Sequence, residues 1–163
     1  MDILKLRIIT LTTIFILSPK VLATEQDLNW FFGSAISFNS FNNDGEKSSG
    51  LGLDLRSGYQ FGNYLKLMVG AGTTGIGDSA EAGEDQSISS LYALVRPQWE
   101  FDNGFLVYVD AGVMTTSSGD GAKVGYGIGY NEGQHEVTLG FELNVYERNL
   151  DSTGVALQYI YHF

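Results

Sequence analysis

Eight times along the chain, apolar residues fall on every second position. The segments open on Trp30, Leu51, Leu65, Leu91, Phe105, Val124, Val137 and Val155. The fifth carries Phe105, Val107, Val109, Ala111 and Val113; the seventh carries Val137, Leu139, Phe141, Leu143 and Val145. A period of two marks a strand with one apolar face. Each segment is about ten residues long, the length a tilted strand needs to cross a bilayer. No stretch after residue 23 holds a helical period or approaches the about 20 apolar residues of a membrane helix. The 21 Gly, 2 Pro and many Tyr, Phe, Val and Leu fit β structure.

The two faces differ in kind. The apolar parity carries no charge and three polar residues, Ser34, Ser57 and Thr73. The other parity holds glycines such as Gly33, Gly52, Gly58, Gly70, Gly72, Gly112, Gly127 and Gly140. It also holds Asp54, Arg56, Lys66, Arg96, Glu100, Asp110, Glu136 and Glu142. A water-facing set would be rich in Lys and Glu, because Gly weakens a strand unless geometry requires it. A narrow barrel requires it, since its lumen barely holds side chains. Glycines and charges therefore point inward and the apolar face meets lipid. The expected fold is all-β: an eight-stranded antiparallel up-and-down transmembrane barrel.

Connections alternate in length. Residues 61–64, 102–104 and 131–134 read as tight turns, and 42–49, 75–87, 116–122 and 147–153 as longer loops of about 7 to 13 residues, the outer-membrane pattern. Trp30, Phe32, Tyr59, Phe61, Tyr64, Trp99, Phe101, Phe105, Tyr130, Tyr161 and Phe163 gather at the short-turn end as an interfacial girdle. Phe38, Phe41, Tyr126 and Tyr146 suggest a sparser one at the loop end. Pro97 interrupts the fourth segment, where a local bulge is expected.

The chain divides into a leader and one domain. Lys5 and Arg7 precede the apolar run Ile8–Leu17, and Val21-Leu22-Ala23 resembles a small-residue cleavage site. Residues 1–23 are read as a signal peptide, and 24–163 as the barrel domain. Cleavage removes Lys5, Arg7, Lys20 and Asp2, taking the formal charge from −10 to −12. Such an acidic chain repels nucleic acid. With no Cys, it uses no disulfides.

The end of the chain carries a resemblance. Leu157, Tyr159, Tyr161 and Phe163 alternate up to a terminal Phe. This is similar to the closing strand of bacterial outer-membrane proteins. The whole of residues 28–163 resembles the small eight-stranded barrels typified by the OmpA transmembrane domain and OmpX. The resemblance implies the bacterial outer membrane, a terminal strand read by the barrel-assembly machinery, and contact with outer-membrane lipid and lipopolysaccharide. It implies no cofactor. A monomer without a nucleic-acid partner is expected.

Four sets of residues are candidates for function. Asp54, Arg56, Arg96, Asp110 and Glu142 fall at similar depth near mid-barrel. A buried charge without a partner is costly, so a paired network is expected, as a structural plug or a switchable gate. Lys66, Glu100 and Glu136 sit nearer the short-turn rim and are expected to pair there. Asp78, Glu81, Glu84 and Asp85 cluster in the longest loop. They could hold a divalent cation weakly, although their spacing is not that of a calcium loop. Gly70-Ala71-Gly72-Thr73-Thr74-Gly75 matches a phosphate-cradling pattern but lacks a following helix.

Some barrels of this size modify lipid A, which would need converging nucleophile, base and orienting group. His135 is followed by Glu136 and Val137, not by serine, so no enzyme is expected. The remaining readings are a surface or envelope-integrity barrel, a narrow channel, and a soluble barrel with the apolar face turned inward.

Overall fold

The computed structural model describes residues 29–43, 46–77, 86–146 and 150–163. The leader 1–23 and the loop acids Asp78, Glu81, Glu84 and Asp85 lie outside the described residues. Eight strands follow in chain order: β1 (Trp30–Asn43), β2 (Glu46–Phe61), β3 (Leu65–Gly77), β4 (Gln86–Glu100), β5 (Phe105–Thr116), β6 (Gly119–Glu132), β7 (His135–Tyr146) and β8 (Leu150–His162). Each pairs antiparallel with the next, and β8 returns to β1, closing the barrel. The Phe163 N–H extends that seam by donating to the Trp30 carbonyl at 2.9 Å. Cross-strand partners followed once around the wall from Trp30 arrive at Ser40, a stagger of ten residues. Stagger of this kind tilts the strands to the barrel axis.

The apolar parity faces out. Leu53, Val109 and Leu139 are 60%, 41% and 50% exposed, whereas Arg56 and Arg96 are 1% and 0% exposed. A soluble barrel would show the reverse, so the reading with the apolar face turned inward is excluded. Large apolar side chains in water on every strand would be an unmanageable surface; in lipid they are matched. Among the described residues no helix is long and apolar enough to span a membrane; the strands do so. At the short-turn end Trp30 packs edge-on to Tyr59, Tyr59 on Phe61, and Tyr161 on Phe163. These rings, with exposed Tyr64, Trp99, Phe101 and Tyr130, form the girdle.

Several expectations need correction. The strands run well past the membrane-crossing length, to 12–16 residues. The outer connections shrink accordingly: 117–118 alone separate β5 from β6. Ser, Thr and Gly near the outer ends break the apolar alternation but not the hydrogen-bond ladder, which needs no particular side chain. Phe41 (2% exposed) and Tyr146 point into the lumen and do not belong to an outer girdle; both fall on the inward parity. Pro97 makes no bulge. Val95 still opposes Ala111 and Gln98 still opposes Tyr108, so no residue is inserted. The ladder skips only Arg96 and Pro97. The Gln98 N–H points to the carbonyl of Tyr64, the turn residue just before β3, so the donor missing at Pro97 is one that would face β5.

The lumen is also more apolar than glycines and charges alone suggest. Phe31, Met68, Tyr92, Leu94, Met114 and Ile160 pack together inside it. The glycines make room for the larger rings: a Cβ on Gly70 would collide with the Tyr92 ring, and one on Gly127 or Gly140 with the Tyr108 hydroxyl. At the turns, Gly62, Gly104 and Gly133 take φ of 56°, 81° and 64°, which side chains disfavour.

Gly70→Ala is expected to destabilise the barrel by about 1–3 kcal/mol through overpacking. The double change Gly70→Ala with Tyr92→Leu should recover much of this. Urea unfolding, followed by the mobility of unboiled protein on gels, measures both. Equal stability of Gly70→Ala and wild type would contradict the lumen packing.

Candidate functional site: the lumen charge network

Inward parity on eight strands brings side chains from distant parts of the sequence to one axis. Four cations, Arg56, Lys66, Arg96 and Lys123, meet four anions, Asp54, Asp110, Glu136 and Glu142. All except Asp54 are buried. The centre is Arg96. Its Nε and Nη2 donate to Asp110 Oδ1 and Oδ2, both at 2.7 Å, a two-pronged pair with the fixed geometry of a guanidinium fork. Arg96 Nη2 also donates to Gln158 Oε1 at 2.8 Å, and Arg56 Nη1 reaches the same oxygen at 2.8 Å. Gln158 thus holds two guanidinium groups together through one neutral acceptor. The Arg96 guanidinium stacks 3.8 Å from the Tyr108 ring centre, adding a cation–π contact.

Toward the short-turn rim, Glu136 gathers three bases. Lys66 Nζ donates to its Oε2, His162 Nε2 lies 3.3 Å from the same oxygen, and Arg96 Nη1 is 3.8 Å from Oε1. The rim and mid-barrel charges therefore form one connected system. Toward the outer end, Lys123 Nζ donates to Glu142 Oε2 at 2.7 Å.

The expected partners were thus only partly right. Arg96 and Asp110 do pair. Asp54 meets Arg56 only at 3.9 Å. Glu142 joins neither arginine but Lys123, one position before the point where the sixth apolar segment begins. Glu100 does not pair with Lys66; it accepts from Asn131 Nδ2 at 3.2 and 3.3 Å at the rim. Sequence reasoning missed Lys123 because it borders a stretch read as loop, although its parity is inward. It missed Gln158 because only charged residues were weighed.

The other candidates are placed as follows. Leu157, Tyr159, Tyr161 and Phe163 line the outward side of the closing strand's end, with Leu157 and Phe163 54% and 67% exposed. The glycine-rich run 70–75 lies within β3, with Gly70 beside Tyr92 and Gly72 beside Asp54, so it is barrel wall and not a phosphate-cradling loop. His135 Nδ1 lies 2.7 Å from the Tyr159 hydroxyl on the outer surface, and His162 turns to Glu136. No serine hydroxyl hydrogen-bonds to either ring among the described residues.

No family model matches the chain, and no curated protein matches it by sequence. Solved structures match its fold. Neisserial surface protein A (NspA) superposes with a TM-score of 0.70 at 13% identity, over 85% of this chain and 100% of that one. Ail, the attachment invasion locus protein of Yersinia pestis, in complex with the heparin analogue sucrose octasulfate, gives 0.62 at 15% identity, over 85% and 100%. The outer membrane enzyme PagL gives 0.50 at 15% identity, over 79% and 98%. At these identities the likeness is one of fold, and the three proteins differ in what they do.

Removing one partner of the central pair leaves the other charge buried. Arg96→Met is expected to cost about 3–5 kcal/mol, and Arg96→Met with Asp110→Leu clearly less. Urea midpoints of the two variants in detergent compare them directly; an Arg96→Met barrel as stable as wild type would contradict the pairing. With its apolar exterior, closed ladder and charged lumen, the chain has the fold of the small eight-stranded outer-membrane β-barrels.

Proposed function

We propose that this chain is a non-conducting outer-membrane surface barrel, whose lumen is a structural plug and whose role is carried by its outer strand ends. The observation that supports this most is the seal at mid-barrel. Arg96, Gln98, Asp110 and Gln158, each at most 1% exposed, come from three strands and fill the bore. Phe31, Leu106 and Ile160, each at 0%, close the space toward the short turns. An eight-stranded barrel has little bore to begin with. Ion flow would require the Arg96–Asp110 pair and its Tyr108 stack to move together.

Interaction then falls to the surface. The strands reach beyond the membrane-crossing length, carrying Asp120 and Asp151, against Lys47, near their outer ends. Acidic ends suit a basic partner, or lipopolysaccharide phosphates bridged by divalent cations. They are a poor match for a sulfated polyanion of the kind bound to Ail. The loop acids Asp78, Glu81, Glu84 and Asp85 would add to the same charge. Catalysis has little support. The two histidines sit at the short-turn end with Tyr159 and Glu136 as partners, a set that offers no activated nucleophile.

Planar-bilayer recording of the purified barrel tests the plug. Silence across the voltage range is expected. Discrete conductance steps from wild-type protein would replace this reading with that of a narrow channel.

A further inference from the structure

We infer that the turn between β6 and β7 seats the headgroup of one phospholipid bearing a primary amine, at the short-turn face of the membrane. The other six lipid-facing rows end at this rim in apolar or aromatic side chains. Glu132, which closes β6, and His135, which opens β7, break that rule; both are exposed. They are cross-strand partners on the outward parity. Among the described strand residues they are the only outward Asp, Glu, Lys, Arg or His at the short-turn end.

An acid and a base so placed have every reason to join, yet no ion pair links them among the described residues. His135 turns instead to β8. Its Nδ1 lies 2.7 Å from the Tyr159 hydroxyl, and its ring stands edge-on to Tyr161 with centres 5.4 Å apart. The phenol donates to Nδ1, which places the imidazole hydrogen on Nε2. A second tyrosine fixes the preceding residue. The Tyr161 hydroxyl donates to Gln134 Oε1 at 3.0 Å, so Gln134 keeps its amide hydrogens for another acceptor. The closing strand thus orients two donors, on Gln134 and His135, while Glu132 offers a carboxylate across the turn.

An ethanolamine headgroup complements this set. Its phosphodiester accepts hydrogen bonds and its ammonium donates them. The two groups stand about 5 Å apart, the spacing of directly opposed side chains on a sheet. The phosphate oxygens take the donors of Gln134 and His135, and the ammonium takes Glu132. A glycerol headgroup has no cation for that carboxylate, and a choline has no N–H to give it. Depth agrees as well, because Tyr130, Tyr159 and Tyr161 belong to the aromatic belt that lies at headgroup level. The inference rests on the lipid-facing exterior and is independent of whether the bore conducts.

The test uses the full barrel in non-ionic detergent, loaded with phosphatidylethanolamine, phosphatidylcholine or phosphatidylglycerol of the same acyl chains. Native mass spectrometry counts the lipid retained as detergent is raised. One phosphatidylethanolamine should be held about threefold to tenfold more strongly than either of the others. Glu132→Gln should abolish the preference for ethanolamine over choline. His135→Phe, which keeps an aromatic ring, should lower retention of the ethanolamine lipid. Asp102→Asn, which removes an acid from a different short turn, should leave the preference intact. Equal retention of the three lipids by wild type, a preference that survives both site variants, or one lost equally in Asp102→Asn would overturn the site.

Discussion

Lipid offers no hydrogen bonds, and that single lack dictates the shape of this protein. Every backbone N–H and C=O at membrane depth must find a partner within the chain. Eight tilted strands achieve this only by closing on themselves, which is why the β1–β8 seam runs from Phe31 opposite His162 to Asn43 opposite Leu150. Closure removes the exposed edges on which other chains could pair. It also fixes the bore, because strand number and stagger set the diameter together. The contents of the lumen follow from this. A space so narrow accepts rings only opposite glycines, as with Tyr92 over Gly70 and Tyr108 over Gly127 and Gly140.

Charge inside such a bore is a matter of balance more than of attraction. Among the described residues, four cations and four anions form the charge network within it, and the contacts among them are uneven. The Arg96–Asp110 fork is well formed, Glu136 is shared among three bases, and Asp54 is left with a long contact. A buried pair adds little stability over an apolar filling, but one partner without the other is very unfavourable. The network therefore constrains which residues can change singly. It is less a source of stability than a restriction on the sequence.

Much of this architecture is legible in the order of residues, because a period of two leaves no freedom about which side chains share a face. Assigning the faces to lipid and lumen needed one further fact, the placement of glycine, and that assignment agrees with the exposure of Leu53 and the burial of Arg56. Pairing within the lumen was less accessible. Depth along a strand can be counted, but the angular position of one strand across the barrel from another depends on stagger, which no single sequence displays. Glu142 meets Lys123 because β6 and β7 are neighbours, with Gly125 facing Glu142 directly. Phe41 and Tyr146 were misjudged by type, since aromatic residues near a membrane boundary suggest a girdle. Their parity gave the right answer. The outer loops were overestimated because polar composition signals solvent, and strands can continue into solvent.

The interruption at Pro97 gives the wall a point of least resistance. Between β4 and β5 the ladder lacks two successive rungs, at Arg96 opposite Asp110 and at Pro97 opposite Val109. Across that gap the two strands are fastened from within, by the Arg96 guanidinium gripping the Asp110 carboxylate. One contact thus serves as both stopper and rivet. Neutralising it would loosen the stave joint at the same depth where it unblocks the core, so lateral unzipping of this barrel would begin where its bore is tightest.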